Sequence, residues 1–244
     1  MDYANYISAI SFRFIGPRTV LPSGLRGSGI FAKTLQRFNI LLDVINTKVP
    51  YDEHNMKDSL YDICKIPKMS TFAIGAMINR GVSQMPDTQA FVNVGVWNGF
   101  TLLSGMVNNP QKTCIGIDNF SESGSPREAF KERFNKYKST NHHFYDMDYI
   151  EYFSTIHKEP IGFYIYDGNH SYENQLKGLE VAEPFFAKDC IILVDDTNWV
   201  EARQATMDFV SKGSPGYRPL LDQSTASNRH PTFWNGVMIL QRIT

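Results

Sequence analysis

Two buried strands in this chain end in acidic residues, and one of those ends also carries a histidine. The stretch F-Y-I-Y-D-G-N-H, Phe163 to His170, reads as a short buried strand that stops at Asp167, followed by Gly168, Asn169 and His170. A second apolar run, Ile191 to Val194, stops at Asp195 and Asp196. If the two runs are neighbours in a parallel sheet, their carboxyl ends open into one crevice, where such sheets bind ligands. Carboxylates crowd together only when a cation or a proton holds them. The pattern therefore points to a metal-assisted site. His170, three residues past Asp167, is placed to take a proton as a general base.

The rest of the chain must supply the sheet. From Ala90 onward apolar runs alternate with helical periods. The expected strands are Ala90–Val94, Thr113–Ile117, His142–Tyr145, Phe163–Tyr166 and Ile191–Val194. The expected helices are Phe100–Val107, Pro126–Lys138, Tyr149–His157, Tyr172–Phe186 and Val200–Val210. Strands recurring every 20 to 30 residues or so predict strand–helix–strand units and a parallel sheet covered on both faces. Tyr217–Leu221 and Trp234–Leu240 have no helix between them, so they predict an antiparallel pair at one edge. Their polar connection, Asp222–Pro231, would lie near the site. The fold class expected is α/β, a Rossmann-like, doubly wound, mostly parallel seven-stranded sheet with an N-terminal helical region.

Before Ala90 the pattern differs. Residues 1 to about 30 hold Gly16, Pro17, Pro22, Gly24, Gly27 and Gly29 among Arg13, Arg18 and Arg26, and read as a loop-rich arm. Phe31, Leu35, Phe38, Leu41, Leu42 and Ile45 recur at helical spacing. A short helix to about Cys64 follows, then one capped by Ser70 and stopped by Gly81. The division expected is residues 1–85 as arm and helical cap or oligomerisation region, and 86–244 as the ligand-binding domain.

Composition narrows the function. The 244 residues carry 24 Lys plus Arg against 25 Asp plus Glu, so no strongly basic nucleic-acid surface is expected. Cys64, Cys114 and Cys190 are widely spaced, as buried reduced thiols would be. No apolar run approaches the roughly 20 residues that span a membrane. The expectation is a cytoplasmic protein acting on a small molecule, with no nucleic-acid or membrane partner. The Gly/Arg-rich arm suggests a homodimer or larger homo-oligomer.

The first strand runs into N-V-G-V-W-N-G-F-T, with Asn93, Gly95, Gly99 and Thr101. Glycine after a parallel strand lets the backbone approach a ligand without a Cβ in the way. The next strand ends in Asp118, where an acidic side chain can accept both hydroxyls of a ribose. A nucleoside-containing ligand is therefore expected. The G-x-x-x-G spacing departs from the dinucleotide fingerprint G-x-G-x-x-G.

The order Asn93-x-Gly95-x-x-x-Gly99-x-Thr101, Asp118, Asp146, D-G-N-H-S-Y-E and V-D-D resembles a class I S-adenosylmethionine-dependent methyltransferase. The nearest likeness is to metal-dependent small-molecule and sugar O-methyltransferases with a D-G-x-H-S-Y-E motif. It covers residues 88 to 200 well and the first 80 or so not at all. The resemblance implies that the backbone at Gly95 contacts the methionine part of the cofactor and that Asp118 holds the ribose. It implies that Asp146 and Met147 frame the adenine, and that Asp167, Asp195 and Asp196 hold a divalent ion such as Mg²⁺. Asn93 stands where the family has an acidic residue. A metal-held hydroxyl beside a sulfonium is a route to O-methylation. The competing readings are an NAD-dependent oxidoreductase and a non-catalytic nucleoside-binding module.

Overall fold

The computed structural model describes residues 1–21, 42–121, 126–212 and 216–243. The expected strands become β3 (Ala90–Val94), β4 (Thr113–Ile117), β5 (His142–Tyr145), β6 (Ile161–Tyr166) and β7 (Phe186–Asp195). They are mutually parallel. All six residues of β6 are buried, as expected for a strand covered on both faces. Alternate residues then serve opposite cores. Phe163 and Ile165 pack with the helices Phe72–Gln84, Phe100–Met106 and Arg127–Tyr137. Tyr164 and Tyr166 pack with Tyr149–Thr155, Tyr172–Ala182 and Val200–Ser211.

The seven-stranded sheet has the order β5-β4-β3-β6-β7-β9-β8, where β8 is Gly216–Gln223 and β9 is Val237–Ile243. The C-terminal pair is antiparallel, with β9 inserted between β7 and β8. Strand order reverses between β3 and β6, so the crevice between their carboxyl ends is the topological switch point. This is the predicted Rossmann-like arrangement.

The N-terminal region departs from the sequence reading. The arm opens with a helix, Tyr3–Ser8, whose first turn is capped by Asp2. Strand β1 (Ser11–Phe12) then pairs with β2 (Thr47–Lys48). Most of the helix predicted from Phe31 lies outside the described residues, as do Pro22, Gly24, Arg26, Gly27 and Gly29. The helix Phe72–Gln84 is not capped by Ser70. Asp43 Oδ2 accepts from the Phe72 N–H at 2.8 Å, and Thr71 Oγ1 donates to the Thr232 carbonyl at 2.5 Å. Nor does Gly81 stop it. A Cβ on Gly81 would come within 2.1 Å of the Phe163 ring, so this glycine lets the helix lie close on β6. Tyr3, Leu60 and Phe72 share one hydrophobic cluster with Phe163, so the N-terminal helices are a layer on the sheet.

Candidate active site

The crevice has two halves. The first is built by the loops after β3 and β4. Gly95 has φ +78°, and a Cβ there would lie 2.1 Å from the Asp167 carbonyl oxygen. Only glycine lets the β3 loop touch the end of β6. Gly99, at φ +98°, turns the chain into the helix Phe100–Met106, with Thr101 buried in its first turn. Asn93 is fully buried; its Nδ2 donates to the Gly95 carbonyl at 3.0 Å, while its Oδ1 has no partner among the described residues. An acceptor buried without a donor is costly and marks a place where a ligand N–H can bind.

The acidic residues expected to contact ribose and adenine are engaged within the protein. The Val96 and Trp97 N–H groups both donate to Asp118 Oδ2 at 2.9 Å, and the Phe120 N–H donates to Oδ1 at 2.7 Å. Asp118 thus holds the glycine loop in shape. Trp97 takes a left-handed backbone (φ 43°), which that anchoring maintains. Asp146 receives Arg127 Nη1 on both oxygens at 2.7 Å and Lys131 Nζ at 2.9 Å. Met147 packs half-buried on the second core.

The second half lies at the ends of β6 and β7. The structure brings Asp167, His170, Asp195 and Asp196 together here. His170 Nε2 lies 3.6 Å from Asp167 Oδ1 and 3.7 Å from Asp196 Oδ2. Asp195 is buried and turns Oδ1 to accept from the Asp196 N–H at 2.8 Å. Asp196 is left-handed (φ 56°) and is pinned by Asn235 Nδ2, which donates to its Oδ1 at 2.8 Å. Burial pushes the Asp195 carboxyl far above the carboxylate range, and the charges of Asp167 and Asp196 add to this. Burial likewise raises Asp167, and it lifts Asp196 to about 6. For His170 burial acts downward, but the neighbouring charges of Asp167 and Asp196 win and raise it to about 9. One imidazolium thus stands between the carboxyls of Asp167 and Asp196, while the buried Asp195 carboxyl is held toward its neutral form.

Among the described residues no group of three His, Cys, Asp or Glu is arranged to hold a metal ion. Of the expected ligands, Asp167 and Asp196 flank His170 instead, and Asp195 turns to the Asp196 N–H. Trp199 stands edge-on to His170, with ring centroids 5.5 Å apart, and is 42% exposed. The connection between β8 and β9 meets the cluster through Asn235, beyond the expected stretch Asp222–Pro231, while within that stretch Thr225 Oγ1 accepts from Asn198 Nδ2 at 2.9 Å. The other described histidines serve elsewhere. His142 accepts from the Ser139 N–H and is buried, while its neighbour His143 is exposed, as alternation along a strand requires.

Three contributors were missed by sequence reasoning. Asn235 left only a weak signal, the N-G turn before β9. Gln175, fully buried under His170, left a stronger one. It occupies a core position of the stripe Gln175, Gly178, Leu179 and Ala182, where an apolar residue belongs. Arg127 left none, because ion pairs have no spacing rule across a loop.

Comparison with known structures agrees with this fold. The SAH-bound methyltransferase PaMTH1 of Podospora anserina superposes with a TM-score of 0.56 at 14% identity, covering 93% of this chain and 99% of that one. The O-methyltransferase from Bacillus cereus in complex with SAH gives 0.52 at 11% identity, covering 79% and 92%. Cofactor-bound Rv0187 from MTB gives 0.55 at 11%, covering 78% and 88%. No curated protein matches the sequence. Among family comparisons, residues 92–197, from within β3 to just past the acidic pair, match a methyltransferase domain.

Proposed function

We propose that this protein is an S-adenosylmethionine-dependent methyltransferase acting on a hydroxyl of a small molecule. The observation that carries the reading is the junction of the two halves. Gly95, in the loop suited to a cofactor, lies directly on Asp167, which opens the titratable cluster. The matched methyltransferase segment spans both halves.

S-adenosylmethionine, when bound, supplies a methyl group on a positively charged sulfur. The chain's residues fit it. Asn93 Oδ1, buried and unpartnered, can accept a hydrogen bond from the methionine ammonium. The cradle at Gly95 leaves room that any Cβ would fill. Asp118 keeps the loop open from behind, and Oδ1, with a single donor, retains capacity for a ribose hydroxyl. Asp146 and Met147 bound the same side of the crevice as the adenine edge.

The acceptor hydroxyl is presented to His170. With the cofactor bound, that oxygen would gain the methyl group, the sulfur would keep the bond's electron pair, and His170 Nε2 would take up the hydroxyl proton. Asp167 and Asp196 stabilise the imidazolium that results. Because those carboxylates raise His170 to about 9, the neutral base grows in as pH rises toward that value. The divalent ion expected from the sequence does not fit this cluster: among the described residues Asp167, Asp195 and Asp196 are not grouped to hold a metal, and His170 Nε2 stands within 4 Å of both Asp167 and Asp196, so the proposed step uses no metal.

The test is transfer of a labelled methyl from S-adenosylmethionine to a panel of vicinal diols, catechols and sugars, with and without EDTA. Label in an ether product, at a rate that EDTA leaves unchanged, is the expected result. A rate lost in EDTA would show that a metal is required and overturn the metal-free step. Oxidation of the panel with NAD, and no methyl transfer, overturns the whole reading.

A further inference from the structure

His170 is not held by its charge partners alone. Its Nε2 is more than 3.5 Å from both carboxylates, too far for a hydrogen bond to fix the ring. What touches the ring directly lies on its other edge. Nδ1 is 3.1 Å from Gln175 Oε1. Gln175 is fully buried, and its Nε2 has no partner among the described residues. It sits on the sheet-facing stripe of the helix Tyr172–Ala182, beside Gly178 and Leu179, where a leucine would pack without an orphaned amide nitrogen and the only group to lose a partner would be His170 Nδ1. The backbone fixes its place, since the Gln175 N–H donates to the Ser171 carbonyl at 2.9 Å. Ser171 in turn caps the helix, and its own N–H donates to Asn169 Oδ1 at 2.9 Å. The loop that carries His170 and the helix that carries Gln175 are thus one rigid unit. Trp199 closes the remaining side, edge-on to the imidazole.

A half-satisfied amide in a core position works against stability, and nothing in the packing requires it. We infer that Gln175 is the positioning residue of His170: its buried Oε1 accepts the Nδ1–H, so that Nε2 is the nitrogen left to take up a proton in the crevice. Gln175 touches neither acceptor nor cofactor. It acts by fixing which nitrogen faces the acceptor and in what orientation. The role of His170 as base belongs to the proposed function, on which this inference rests; the tautomer can be measured without it.

The experiment compares the wild type with Gln175→Leu and Gln175→Glu. Long-range proton–nitrogen correlation spectra of the ¹⁵N-labelled protein at pH 10, with His170 assigned by its loss in His170→Asn, report the neutral tautomer. The wild type and Gln175→Glu are expected to carry the proton on Nδ1. Gln175→Leu is expected to shift to the Nε2–H form or to a mixture, with unchanged affinity for S-adenosylmethionine and a melting temperature no lower than wild type. On any vicinal-diol probe that the wild type methylates, Gln175→Leu should lower kcat at least tenfold with KM within twofold, and Gln175→Glu should recover most of it. An Nε2–H tautomer in the wild type overturns the inference, as does a tautomer that Gln175→Leu leaves unchanged. If Gln175→Leu does not fold, Gln175→Met gives the same readings. If no probe is methylated, the proposed function fails while the tautomer still decides the inference.

Discussion

The two halves of the crevice use the same residue type in opposite ways. Asp118 and Asp146, in the half after β4 and β5, are satisfied: one by three backbone N–H groups, the other by Arg127 and Lys131. Asp167 and Asp196, after β6 and β7, flank one histidine, with Asp195 buried beside Asp196, and all three are pushed toward protonation. Satisfied carboxylates shape a loop. Unsatisfied ones hold electrostatic energy that a proton, a cation or a developing charge can draw on. On the proposed function, binding belongs to the first half and chemistry to the second, and substitutions should separate them.

The largest effect is expected at the second half. His170→Ala should lower methyl transfer by about a hundred- to ten-thousand-fold, the usual span of a general base, while changing cofactor affinity less than about threefold. Steady-state rates beside a binding titration check both. Equal losses in binding and rate would erase the separation. His170 also links folding to pH. Its folded-state pKa is raised, so its stabilising contribution is complete below the ordinary histidine value and is lost as pH rises through about 9. Melting curves of the wild type should fall between pH 7 and 10 more steeply than those of His170→Ala.

The mirror-image experiment is Asn93→Leu. Removing the buried Oδ1 should weaken S-adenosylmethionine binding about tenfold, which is about 1.4 kcal/mol, and leave the His170 pH dependence in place. Unchanged affinity would mean that the orphaned oxygen does not face the cofactor.

Asp196→Asn sharpens the claim that the second half is strained. The folded-state pKa of Asp196 is raised to about 6, so holding it ionised costs nothing below the ordinary carboxylate range and its full amount above about pH 6. Asparagine still accepts from Asn235 and removes that cost, although His170 loses part of its charge partner. Stability at pH 7.5 should rise by about 1–2 kcal/mol in urea titrations, with lower activity. A destabilised variant would show that Asp196 is satisfied after all.

How much of this was legible in sequence follows the same division. The sheet, its antiparallel edge and the meeting of Asp167, His170, Asp195 and Asp196 are local consequences of short apolar runs ending in polar residues. Periodicity reads these directly. The partners of those residues are another matter. Asn235 reaches Asp196 from 39 positions away, and Asp43 caps a helix 29 positions on. Such contacts depend on tertiary packing, which leaves no period. Gly81 illustrates the same limit: its type suggested a helix stop, yet a ring on β6 decided its use. The helix Tyr3–Ser8 escaped notice because six residues are too few for a repeat to show.

The smallest effect tests the satisfied half. Arg127 is 42% exposed in its ion pair with Asp146, so Arg127→Ala should cost less than about 1 kcal/mol in stability. Freed of its guanidinium partner, Asp146 becomes available to a ligand, and cofactor affinity should stay level or rise slightly. A large loss would make Arg127 itself part of the binding half.

The separation of binding from chemistry is tested most directly by isothermal titration of S-adenosylmethionine into the wild type and His170→Ala, with NAD as the control ligand. Binding of S-adenosylmethionine to both proteins within about threefold, with no heat from NAD, is the predicted result. No heat from millimolar S-adenosylmethionine in the wild type, or binding that vanishes with His170, would contradict it.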